Sequence, residues 1–188
     1  MPGYFSRKKT LFSLLTLLLV FASALGVARP VSAQVVHGKR AVTSSLVVGT
    51  KDFTKPFAIG LHFKLEPEWH IYWKNAGDAG TPVEVEWTLP EGFTASKIEH
   101  PVPVKFVVSD IVGYGYKNEV VLPVQITPPA NFDASKPFTI TAKLNWLACQ
   151  ESCVPGDSTL TLNPVKLTDA DIASGKALIE TYRKIGRA

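Results

Sequence analysis

The chain has 188 residues, 46% of them apolar and 19% charged, with 20 basic against 16 acidic side chains and two cysteines. That apolar share excludes a disordered or low-complexity chain, and the length suits a single domain with one substantial core. The formal charge of +4 would by itself suggest nucleic acid or an anionic membrane, but Arg7, Lys8, Lys9 and Arg29 carry all of the excess; the rest of the chain is balanced and no nucleic-acid partner is expected.

Residues 1–33 have the three parts of a secretory signal peptide: the basic start Arg7, Lys8 and Lys9, an uncharged apolar run from Leu11 to Val27, and the small-residue site Val31-Ser32-Ala33. Cleavage is expected before Gln34, which places the mature chain outside the cytoplasm. A permanent anchor is the competing reading, and the run is shorter than the roughly 20 residues of a spanning helix.

Residues 34–166 read as one β-rich domain. Phe57 to Leu65, Trp69 to Trp73, Val83 to Leu89, Val120 to Ile126, Phe138 to Leu147 and Leu160 to Val165 alternate apolar and polar residues and are rich in β-branched and aromatic types. Turn formers separate them at Pro67-Glu68, Asn75 to Gly80, Pro90 to Gly92 and Pro128 to Asn131. Short strands without interleaved helices predict an all-β fold, an immunoglobulin-like antiparallel β-sandwich, with a β-barrel as the alternative. Trp69, Trp73, Trp87 and Trp146 read as core aromatics.

Residues 167–188 change period. Thr168 is placed to cap a segment opening Asp169-Ala170-Asp171; Ile172, Leu178, Ile179 and Tyr182 recur at helical spacing, and Arg183 and Lys184 lie near its end. A short C-terminal amphipathic helix is expected, packed on the sandwich or leading toward a further domain.

Both cysteines lie in Trp146-Leu-Ala-Cys-Gln-Glu-Ser-Cys-Val-Pro-Gly156. In an exported chain a disulfide between them is the default state. Bridging needs Cα atoms about 4.4 to 6.8 Å apart, whereas four extended residues span about 13 Å. The strand is therefore expected to end near Cys149, with a turn over Gln150 to Ser152 and with Pro155-Gly156 releasing the chain into the next strand. A ring this small removes little unfolded-state entropy, and strained or exposed bridges are the exchangeable ones. That points to a redox-active dithiol, with a hairpin-end staple as the alternative. Glu151 would raise a neighbouring thiol pKa, and no Lys or Arg lies between Asn145 and Gly156, so a relay is expected rather than a potent oxidant.

Three segments occur in order: Trp69-His-Ile-Tyr-Trp-Lys-Asn-Ala-Gly-Asp-Ala-Gly80, Tyr114-Gly-Tyr-Lys-Asn-Glu-Val120 and Trp146-Leu-Ala-Cys-Gln-Glu-Ser-Cys-Val-Pro155. Together they resemble the N-terminal periplasmic domain of the thiol:disulfide interchange protein DsbD, in its copper-sensitivity-suppressor (ScsB-like) branch, over about Val48 to Val165. The resemblance implies an immunoglobulin-like domain in the periplasm that relays electrons as a protein-disulfide reductase, with no cofactor. It implies a membrane electron donor of DsbD transmembrane type and periplasmic thioredoxin-fold proteins as acceptors. Cys149 and Cys153 would be the redox couple, with the second cysteine forming the mixed disulfide.

The family shields its couple with an aromatic cap loop, and Ile111 to Tyr116 matches that place, Tyr114 being the first candidate for the cap residue and Tyr116 the second. His70 and Tyr72 fall where the family has side chains near the couple; at i and i+2 they face the same side of a strand. Asn75 to Gly80 reads as a tight turn without a direct redox role. The cysteine spacing is that of the copper-suppressor branch. Family members continue into a multi-span membrane domain and a thioredoxin-like domain, so with the chain stopping at Ala188 the donor is expected on another chain, unless the chain is a shortened copy.

Two other readings compete. Two Cys with nearby His can hold copper or zinc, but a blue-copper site needs two His, one Cys and usually an axial Met: Met1 is the single methionine, no His follows Cys153, and His37, His62, His70 and His100 lack zinc-ligand spacing, so no metal site is expected. An exported interaction module with an inert bridge is the second. No Ser-His-Asp-like grouping, phosphate-binding glycine loop or recognisable carboxylate pair points to hydrolysis.

Overall fold

The computed structural model describes residues 41–108 and 110–186; the expected signal peptide and its cleavage site lie outside them. Alternation sets the two faces of each strand. In β2 (Phe57–Leu65) the side chains of Phe57, Ile59, Leu61, Phe63 and Leu65 share one buried face, and in β9 (Ile140–Cys149) Ile140, Ala142, Leu144, Trp146 and Ala148 do the same. Covering two such faces at once takes two sheets packed front to front. Phe63 and Trp146 meet edge-on across the gap, ring centroids 5.4 Å apart.

The first sheet has four strands, ordered β1 (Val42–Val48), β2, β8 (Glu119–Thr127) and β5 (Thr94–Ala95). The second is ordered β10 (Cys153–Leu162), β9, β3 (His70–Gly77), β7 (Ile111–Lys117) and β6 (Val104–Val108), with β4 (Glu84–Thr88) also on β9. All ladders are antiparallel. The fold is the expected all-β, immunoglobulin-like sandwich. Trp146 is in its core, and Trp69, Trp73 and Trp87 pack partly buried against it.

The C-terminal helix α1 (Asp169–Ile185) forms as its cap predicts: Thr168 Oγ1 accepts from Asp171 N–H at 3.2 Å, and the Asp171 carboxylate accepts from Thr168 N–H at 2.9 Å. It lies on the outer face of the first sheet, against β1, β2 and β8. Ile179 is buried there, and the Tyr182 hydroxyl donates to the Glu119 carbonyl at 2.8 Å. The helix packs on the sandwich, one of the two expectations for it. Among the described residues no helix is long and apolar enough to cross a membrane.

Three expectations change. The last strand does not begin at Leu160 but at Cys153, so Pro155 and Gly156 lie inside β10, and Val165 falls in a 3₁₀ turn (Pro164–Lys166). An edge strand tolerates Pro155, whose missing N–H is needed on one side only; Gly156 is required because a Cβ there would overlap the Trp146 indole directly opposite. The strand expected over Trp69 to Trp73 continues to Gly77. The stretch Ile111 to Tyr116, expected as a loop, is strand β7, the inner arm of a hairpin with β6.

Candidate redox site

The site lies on the outer face of the second sheet, reached by reading β9 one residue past its core stripe. Ala148 faces in; Cys149 therefore faces out. Gln150 to Ser152 turn the chain, with Gln150 N–H donating to Ser152 O at 3.2 Å, and Cys153 returns directly opposite Cys149. Their Cα atoms are 4.1 Å apart and the sulfurs are bonded. That spacing suits a directly opposed pair that exchanges no ladder hydrogen bonds. The two ends differ in access: Cys149 is 3% exposed and Cys153 is open to solvent.

β3 supplies the next layer. Register sets His70 opposite Cys149, and Tyr72 follows two residues on, on the same face. Both are buried, with rings 5.3 Å apart and nearly perpendicular. The Tyr72 hydroxyl donates to Cys149 Sγ at 3.2 Å and lies 3.9 Å from Cys153 Sγ. Burial raises the Tyr72 pKa, so the hydroxyl keeps the proton it donates. Burial, reinforced by the charge of Lys117, lowers the His70 pKa and favours neutral imidazole.

Beyond β3 the same face crosses β7 at Gly115 and Gly113, which have no side chains to present. The space is filled from β6. Phe106, opposite Gly113, lays its ring across both glycines; a Cβ on Gly113 would overlap that ring, and one on Gly115 would crowd it at 3.2 Å. The ring reaches His70, centroids 4.0 Å apart, and lies 6.0 Å from Tyr72. Along one sheet face the order is thus Cys153, Cys149, His70 with Tyr72, two glycines, and Phe106.

Of the residues singled out from sequence, Cys149, Cys153, His70 and Tyr72 come together. Tyr114 and Tyr116 do not. They share the opposite face of β7, where Tyr116 is buried in the core and its hydroxyl donates to Pro101 O at 2.9 Å. The aromatic side chain that the β6–β7 hairpin turns toward the disulfide face is Phe106, which was not among the residues singled out from sequence. The signal was the glycine alternation in Gly113-Tyr-Gly115: inside a strand, two glycines on one face mark a groove that another residue fills.

These features place two sulfurs of unequal exposure on a rigid ladder, with a hydroxyl aimed at the sheltered one. The family model described as thiol:disulfide interchange protein DsbD, N-terminal, matches residues 33–164. The chain belongs to this family. Among solved structures, this DsbD N-terminal domain is similar to the N-terminal periplasmic domain of ScsB from Proteus mirabilis, with a TM-score of 0.57 at 23% identity over 79% of the chain, a likeness of fold. It spans 57% of that relative's length. It also matches the reduced DsbD N-terminal domain of Neisseria meningitidis (TM-score 0.37, 14% identity, 66% of this chain and 90% of that one). A complex of the DsbD and PilB N-terminal domains from the same organism matches with a TM-score of 0.36 at 14% identity, over 68% and 87% of the two chains. No curated protein matches the sequence.

Proposed function

We propose that this domain is a periplasmic electron relay that passes reducing equivalents by dithiol–disulfide exchange from a membrane donor of DsbD transmembrane type to thioredoxin-fold proteins. Membership of the DsbD N-terminal family and the Cys149–Cys153 disulfide make it a thiol:disulfide interchange module. The observation that carries the direction of attack is the contrast between exposed Cys153 and sheltered, hydroxyl-bonded Cys149.

In the oxidised domain a donor thiolate attacks Cys153 Sγ, the only end in the open; the S–S bond breaks and Cys149 leaves with the electron pair as a thiolate, which the Tyr72 hydroxyl stabilises. The donor's second thiolate then attacks its own sulfur in the mixed disulfide. Cys153 is released reduced, and two electrons have crossed. In the forward half, the Cys153 thiolate attacks the disulfide of the thioredoxin-fold acceptor, forming a mixed disulfide and expelling one acceptor thiolate. Cys149, deprotonated, attacks Cys153 Sγ, reforming the bond and freeing the reduced acceptor. Phe106 takes the cap role first expected of Tyr114, closing the far side of the His70–Tyr72 pair.

The test traps mixed disulfides in periplasmic extract. Cys149→Ala keeps the attacking Cys153 and lacks the resolving thiol, so it should accumulate an adduct with a thioredoxin-fold protein, while Cys153→Ala should not. The reverse pattern would refute the assignment. A reduction potential below about −300 mV, with loss of the fold in either variant, would make the bridge an inert staple instead.

A further inference from the structure

The segment Asn75-Ala-Gly-Asp-Ala-Gly80 has no part in the exchange steps, yet it is constrained at three points. β3 and β7 pair at Tyr72 with Gly115 and again at Gly77 with Gly113, so Trp73 to Ala76 on β3 stand against Tyr114 alone on β7 and the strand bulges. Past the bulge, Asp78 ties the strands together again. Its N–H donates to Val112 O at 2.9 Å, and its carboxylate stands in for a ladder carbonyl, accepting from Val112 N–H at 2.9 Å. Gly77, at φ 97°, brings the two backbones so close that a Cβ would overlap Val112 O. Gly80, at φ 112°, lies against the Tyr72 ring with no room for a Cβ, and Pro82 then bridges to Tyr72. One loop therefore abuts the Tyr72 ring at one end and holds the strand beneath Phe106 at the other.

The outer part of the hairpin has few other anchors. β6 is the edge of its sheet, and Val104, Val107, Val108 and Ile111 are 41–59% exposed, so the hairpin's outer part buries little of itself. The outer half of β7 meets β3 only at Gly77. Val112 lies one residue from Gly113, which the Phe106 ring crosses. The carboxylate-to-amide bond is charge-assisted and lies at the exposed edge of the sheet.

We infer that Asp78 is a positioning residue: by tying Val112 of the β6–β7 hairpin to the loop that abuts Tyr72, it keeps Phe106 on the His70–Tyr72 pair and the Tyr72 hydroxyl on the Cys149 sulfur. The inference rests on Cys149 being the sulfur that leaves as thiolate. Asp78 itself touches neither sulfur; its effect passes through Val112, Phe106 and Tyr72.

The experiment uses Cys153→Ala protein, in which Cys149 is the sole thiol, and titrates its thiolate by ultraviolet absorbance. Asp78→Ala, Asp78→Asn and Tyr72→Phe are added to that background, and amide hydrogen exchange at Val112 reports the tie. Asp78→Ala should speed exchange at Val112 and lower the thiolate fraction at fixed pH by about three- to tenfold, the scale of one hydrogen bond to a charged group partly lost. Asp78→Asn keeps an oxygen that accepts and should restore most of it. In the Tyr72→Phe background, Asp78→Ala should change nothing further. Faster Val112 exchange with an unchanged thiolate titration overturns the inference, and so does an undiminished effect in the Tyr72→Phe background. If Tyr72→Phe alone leaves the titration unchanged, the hydroxyl's role falls, and the inference with it. Gly80→Ala, which displaces the Tyr72 ring from the loop's other end, serves should Asp78→Ala not fold; an unchanged titration there is equally fatal.

Discussion

Tyr72→Phe removes one oxygen from the outer face of β3 and leaves the ring in place. The hydroxyl is on a residue 5% exposed and donates to Cys149 Sγ at 3.2 Å. In the oxidised domain its acceptor is a neutral sulfur, which is a weak one, and the disulfide left behind needs no partner. The variant should therefore keep its stability to within about 1 kcal/mol. As the disulfide opens, the same hydroxyl meets a developing thiolate, where a hydrogen bond is worth about 1.5–3 kcal/mol. After deducting the weak bond already present, about 1–2 kcal/mol of leaving-group stabilisation is lost, roughly tenfold in thiolate basicity. With about half of that expressed in the transition state, as Brønsted coefficients for thiol exchange suggest, the rate of reduction should fall about threefold. The assay is the second-order reduction of the oxidised domain by excess dithiothreitol, quenched by alkylation, alongside a thermal melt. A wild-type rate with a lowered melting temperature would show that Tyr72 only packs, and would refute the assignment of Cys149 as the stabilised leaving group.

Two further outcomes are expected. Gly113→Ala drives a Cβ into the Phe106 ring and should destabilise the domain by about 1–3 kcal/mol, the cost of overpacking; NMR titration should show the His70 pKa rising toward about 6.5 as the imidazole becomes solvated, and an unmoved His70 would mean that Phe106 does not shelter it. The second concerns pH. Burial, helped by Lys117, lowers the His70 pKa, and burial, helped by Lys74, lowers that of His100. The unfolded chain takes up these protons near about pH 6.5 and the folded domain only lower, so the stability they contribute is complete above about pH 6.5 and is lost as the pH falls below it. Urea unfolding across that range should show the slope, flattened in His70→Phe; stability that holds or rises on acidification contradicts it.

The strands with a core face were legible because burial writes a period of two: Phe57 to Leu65 is β2 to the residue, and the turn after Cys149 followed from how far four residues reach. The β6–β7 hairpin was not legible for the same physical reason. Val104, Val107, Val108 and Ile111 are exposed, so no apolar–polar alternation marks the hairpin. Gly113 and Gly115 look like turn residues until their partners are known; they are strand residues, Gly113 kept bare for the Phe106 ring and Gly115 chiefly for the Ile71 carbonyl of β3. Resemblance placed the cap on Ile111 to Tyr116, whereas the ring against His70 is Phe106 on the neighbouring strand β6, and Tyr114 and Tyr116 lie on the other face of β7 because side chains alternate along a strand. His70 and Tyr72 share a face because of their i, i+2 spacing, and the register of β3 on β9 sets that face beside Cys149.

That same alternation separates chemistry from stability. Trp146 and Ala148 face the core while Cys149 faces outward, and the β9–β10 ladder continues for nine further pairs below the cysteines, from Val154 with Ala148 to Leu162 with Ile140. Opening the bridge removes a cross-link whose ring is so short that, in the chain-entropy model, it stabilises the fold by only about 2 kcal/mol. The packed residues on the inner face need not move. In the proposed exchange an incoming sulfur would need only Cys153, which is exposed on the edge strand β10, and the expelled thiolate would stay on the face that carries Tyr72. On the proposed mechanism the domain would be reduced and reoxidised without unfolding, because Cys149 sits on the outer face of β9 and the core stripe on the inner face.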